Sequence, residues 1–207
     1  PGPVGEEKSW FDLGIPYSYY PLVYTLKILV TLVAIWFVWP GFKEFPWRLS
    51  PLAPLVGTVG VLVWIGLTSV EVEPQVLGAV GLDSLVDVGR RSAFNPLVEM
   101  EQPSWAWAFL AVRFCGLVVI VPIIEEFFFR GFIMRFVADP DWWKVPFGTP
   151  HLLGIALATA LAVFAHPPTE YLAELAWFSL VTWLMLRTRN IWDCVVAHGV
   201  TNGLLGL

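Results

Sequence analysis

Val121–Arg135 reads VPIIEEFFFRGFIMR, and the interpretation of the whole chain turns on it. Two adjacent carboxylates, Glu125 and Glu126, sit in a run that is otherwise almost wholly apolar, with Arg130 following and Pro122 just upstream. On a helix, positions four apart share a face, so Glu126 and Arg130 are spaced to form an ion pair. Glu125 is turned about 100° from Glu126 and does not share that cation. A charge at mid-bilayer costs roughly 2.5–3.5 kcal/mol on the insertion scale. Charged groups this close together in an apolar run call for a chemical reason more than a packing one.

The composition supports a bilayer setting. Of 207 residues, 57% are hydrophobic and only 14% charged, and the mean hydropathy is +0.69. A soluble domain carries about 25% charged residues. The net charge of −5 argues against nucleic acid, which calls for a basic stripe. Cys115 and Cys194 both lie in apolar segments and read as small core residues. The chain starts at Pro1 and ends at Leu207 inside an apolar stretch, so we read it as a fragment. The acidic, aromatic segment before the first apolar run does not resemble a cleavable signal peptide.

Working outward, residues 1–16 read as a loop, followed by apolar runs at 17–40 and 51–69, each long enough to span. Tyr17, Tyr19 and Tyr20 at one end of the first run, with Trp36 and Trp39 near the other, are spaced like interfacial belts. Residues 70–103 read as an acidic extramembrane loop with a short helix at 84–92. A single helix over 105–137 would be about 50 Å long, so it must tilt or kink near Pro122. Further spans are expected at 151–166, 170–187 and 190–207. The basic residues of 41–50 and 138–150, with Arg187 and Arg189, put those segments in the cytoplasm, with 70–103 outside. The expected fold is all-α: a multi-pass transmembrane helix bundle of about six spans. It divides into an N-terminal region (1–104) with two transmembrane helices and a transmembrane domain (105–207) holding the candidate chemistry.

Within the spans, the polar groups that stand out are Glu125, Glu126, Arg130, His166, His198 and Asn202. His198 and Asn202 are four apart and point the same way from one helix. Two chemistries fit. Glu125, assisted by His166, activates a water as general base while His198 and Asn202 donate to a developing oxyanion. Alternatively, glutamate and histidine ligate zinc, which activates the water, although the chain has no HExxH. A third reading is non-catalytic, because intramembrane carboxylates and histidines also build proton relays. Counted from Trp105, Glu125 lies about 30 Å along its helix, whereas His166 ends its own span. The two meet only if the first helix starts later or is steeply tilted.

The motifs resemble a known family. Glu125–Arg130, EEFFFR, resembles the EExxxR motif of the CPBP family, which contains CAAX proteases and bacteriocin-processing enzymes. Ala162–His166 sits where that family has FxxxH, and His198–Asn202 matches its HxxxN/D. The resemblance covers roughly 105–207, and the loop DPDWWKVPFGTP further resembles the subgroup associated with exosortase sorting systems. It implies an intramembrane endopeptidase of the glutamic type, without a metal cofactor, in the cell membrane if the source is bacterial. Glu125 and His166 would activate water, His198 and Asn202 would form the oxyanion hole, and Glu126 and Arg130 would be a structural ion pair. The implied partners are the lipid bilayer and a protein or peptide substrate, prenylated or membrane-anchored. The alternative within reach of the same motifs is a bacteriocin immunity factor or a proton-coupled transporter. Ala162 in place of the motif's phenylalanine bears on substrate fit more than on chemistry.

Overall fold

In the computed structural model, which describes residues 17–82 and 94–206, the two glutamates lie on one helix running from Pro103 to Ala138. In chain order the helices are α1 (Tyr20–Phe42), α2 (Leu52–Val70), α3 (Val72–Ala79), α4 (Pro103–Ala138), α5 (Leu152–Phe164), α6 (Tyr171–Thr188) and α7 (Ile191–Leu205). There is no strand among the described residues. Three stretches are long and apolar enough to cross a membrane: Tyr20–Phe42, Leu52–Ala79 and Pro103–Ala138. Leu152–Phe164 is a shorter apolar helix. The expected loop at 1–16 and the helix at 84–92 lie outside the described residues. Residues 72–79, expected in a loop, are helical. Glu71 takes a left-handed backbone (φ 51°), which ends α2 and starts α3 without an intervening loop.

Where a tilt or a kink near Pro122 was expected, α4 is continuous in backbone but irregular. The helix widens into π turns at Gly116–Ile120 and Phe127–Ile133, on either side of the glutamates. In the first, the Val121 N–H bonds five residues back, to the Gly116 carbonyl. In that register Pro122 would donate to Leu117, but proline has no N–H. The freed Leu117 carbonyl accepts a 3.1 Å hydrogen bond from Asn202 on α7. Widened turns of this kind accommodate irregular backbone inside a long helix and recur at functional sites. The neighbouring carbonyl, of Val118, faces α7 at Gly199, where a Cβ would lie 2.5 Å from its oxygen. Proline on α4 and glycine on α7 together bring these two backbones close.

The core joins α2, α4, α5, α6 and α7. Val56, Ala158, Ala162, Phe178, Val181, Leu184 and Ala197 are buried there, and small residues let the helices approach. Between α6 and α7 the chain turns sharply. Arg189 is left-handed (φ 51°), and its N–H returns to the Met185 carbonyl at 2.8 Å. Asn190 then caps α7 by accepting from the Trp192 N–H. The 43–51 connection is fastened to this corner. The Asn190 side chain donates to the Arg48 carbonyl, Trp192 Nε1 to the Phe45 carbonyl, and the Ser50 N–H to Asp193.

Candidate functional site

Glu126 and Arg130 lie on α4 facing the bundle interior, each 1% exposed. Arg130 Nη1 is 2.5 Å from Glu126 Oε2. Arg130 Nη2 donates to the Phe178 carbonyl (3.0 Å) and to Thr182 Oγ1 (3.3 Å), and the guanidinium carbon sits 4.0 Å over the Phe178 ring. The second oxygen of Glu126 faces His198 Nδ1 at 2.9 Å. A carboxylate held by a guanidinium is an acceptor only, so His198 Nδ1 must be the donor. That leaves Nε2 of His198 turned outward, 3.9 Å from Glu125 Oε2. Arginine, glutamate, histidine and glutamate thus stand in a row from the core to the open face.

Glu125, one residue along, is partly exposed: 42% of its side chain is accessible, against 1% for Glu126. The 100° step between neighbours on a helix explains the difference. Glu125 lines a cavity of about 320 Å³ together with His166, Glu174, His198 and Asn202. His166 follows the end of α5. Its Nδ1 donates to the Ala162 carbonyl at 3.0 Å, one turn back, and its Nε2 faces Glu174 Oε2 at 3.6 Å. Among the described residues, no ion pair joins Glu125 directly to His166. They face each other only through the cavity. Both nevertheless line one cavity, although counting along the helices had left them far apart.

Asn202 commits one amide N–H to the Leu117 carbonyl and also lines the cavity. Trp177 closes the inner wall. Its ring stands 4.6 Å from the His198 ring, and its Nε1 donates to Thr201 Oγ1, which in turn donates to the Gly57 carbonyl on α2. Trp64, also from α2, borders His166 with ring centroids 5.8 Å apart. A second, larger cavity of about 1010 Å³ lies on another face of α7, lined by apolar residues such as Phe42, Trp192 and Val196. It contains none of the candidate polar groups.

Among the cavity residues that escaped the reading of the sequence are two charged ones, Glu174 and Arg113. Both lie inside assigned spans, and the signal was simply that a charged residue stood there. Asp193, 1% exposed, also lies in a stretch expected to span, but its carboxylate is used on the Ser50 N–H. The third histidine, His151, caps α5 by accepting from the Gly154 N–H. No group of three or more His, Cys, Asp or Glu side chains among the described residues is arranged to hold a metal ion.

Residues 104–204 match one protein-family model, described as type II CAAX prenyl endopeptidase Rce1-like. No curated protein and no solved structure matches the chain.

Proposed function

From the premise that residues 104–204 belong to the CAAX protease family, whose members are membrane proteases acting on protein or peptide substrates, we propose that this chain hydrolyses a peptide bond with a water activated by Glu125. The observation that carries the reading is the cavity of about 320 Å³ in which Glu125, His166, His198 and Asn202 meet. Of the paired glutamates Glu125 is the one turned to this space, with His198 Nε2 3.9 Å away and no lysine or arginine paired with it among the described residues. A water between Glu125 and His166 loses a proton to the carboxylate as its oxygen adds to the scissile carbonyl. The oxyanion that forms is met by the remaining N–H of Asn202 and by His198 Nε2. Nε2 donates when the His198 ring is doubly protonated, flanked by the carboxylates of Glu126 and Glu125. Glu126 thereby orients His198 besides neutralising Arg130, an arrangement in which a carboxylate holds one ring nitrogen so that the other is aimed.

The proposed substrate is a membrane-anchored or prenylated peptide, and no metal takes part in the mechanism. Glu125→Gln keeps the shape and removes the base. We expect cleavage of a CAAX-type peptide to fall by about 10²–10⁴-fold, with thermal unfolding unchanged. Cleavage by the purified variant at the wild-type rate would overturn the assignment.

A further inference from the structure

Glu174 belongs to none of the motifs, and among the described residues no lysine or arginine pairs with it, yet it is 2% exposed and borders the cavity. Its nearest charged or titratable neighbour is His166, with Oε2 at 3.6 Å from Nε2. The other titratable or charged groups around His166 are Glu125 and Arg113 from α4, His198 from α7 and Glu170 just ahead of α6. A buried carboxylate is costly, and an imidazole beside it relieves that cost when the facing nitrogen carries a proton. The opposite ring atom is already spoken for: a carbonyl can only accept, so the Nδ1 facing Ala162 carries its hydrogen. Nε2 is therefore the ring atom left to face Glu174, at 3.6 Å.

We propose that Glu174 is a positioning residue for His166, holding a proton on Nε2 so that His166 acts as the donor to the leaving nitrogen. This rests on the hydrolytic reading above and divides its labour. The water oxygen bonds to the carbonyl carbon, and its released proton is taken by Glu125. The carbon–nitrogen bond breaks, and the departing nitrogen takes the Nε2 proton of His166. Transfer from Glu125 through cavity water to His166 restores both groups, so one water is consumed per bond cleaved and no proton is left over. Glu125 and His166 need no direct contact in this scheme, which agrees with their facing each other only across the cavity.

The test uses the purified full chain in detergent, wild type and Glu174→Gln, with ¹⁵N-labelled histidine rings. The His166 signal is identified by its loss in His166→Ala. At fixed neutral pH we expect Nε2 of His166 to carry a proton in the wild type and to lose it in Glu174→Gln, with the His151 and His198 signals unchanged. Cleavage of a farnesylated CAAX-type peptide should fall about 10–100-fold in kcat, the scale on which groups behind a reacting side chain act, with KM unchanged and the same melting temperature. An identical His166 signal in both proteins overturns the proposal. So does an altered signal accompanied by wild-type kcat. If the wild type cleaves nothing while the His166 signal still responds to Glu174, the hydrolytic reading fails and the pairing of Glu174 with His166 stands.

Discussion

Replacing Arg130 with methionine removes the guanidinium that holds Glu126 in the core. Both side chains are essentially inaccessible, so water cannot take over the role of the guanidinium. Deleting one partner of a buried pair costs about 3–5 kcal/mol, mainly because the other charge is left uncompensated. Arg130→Met also removes the donors to the Phe178 carbonyl and Thr182 Oγ1 and the stacking over Phe178, so the upper half of that range applies. For a chain of this size about 2–4 °C of melting temperature is lost per kcal/mol, so a fall of roughly 8–20 °C is expected. Thermal unfolding in detergent, followed by tryptophan fluorescence, measures it. Adding Glu126→Leu to Arg130→Met removes both charges and should recover most of the stability, because apolar replacement of a whole buried pair is close to neutral. Cleavage should stay lost in the double variant, since His198 Nδ1 no longer has its acceptor. A single variant that melts within about 2 °C of wild type, or a double variant no more stable than the single, would refute the reasoning.

Three further outcomes are expected. Gly199→Ala puts a methyl 2.5 Å from the Val118 oxygen. Because α4 and α7 must then part, it should destabilise by about 1–3 kcal/mol, read from the same melt. Thr201→Val removes the acceptor for Trp177 Nε1 and the donor to the Gly57 carbonyl. A loss of about 1–3 kcal/mol follows from the stranded buried groups, and an unchanged melt would show that water replaces the hydroxyl. Chelation with 1,10-phenanthroline should leave cleavage intact, whereas inhibition reversed by added zinc would favour the metal mechanism.

Much of the helical framework was legible because hydrophobic runs and their polar breaks are local properties. The spans at 17–40 and 51–69 correspond to α1 and α2, and the short connection between them was expected. Helix periodicity also separated Glu125 from Glu126, and the structure gives the two very different exposures. Pro122 was recognised as a disturbance, but not its consequence. Whether a missing N–H kinks a helix or widens it depends on what can take the orphaned carbonyl, and here that is Asn202, 85 positions away. The same limit hid Glu174. Its carboxylate is one more charge in a span until α6 is folded beside the end of α5.

From the sequence alone came an all-helical membrane chain, the candidate polar residues and the spacing that puts Glu126 under Arg130. Those follow from the period of the helix and the cost of charge in hydrocarbon, which act within a few turns. Only the tertiary structure decided that Glu126 also takes His198, that Asn202 is half committed to a backbone carbonyl, and that His166 faces a buried acid. These contacts join separate helices, and their register is set by close packing at Gly57, Gly199 and the widened turns of α4, which no local pattern records.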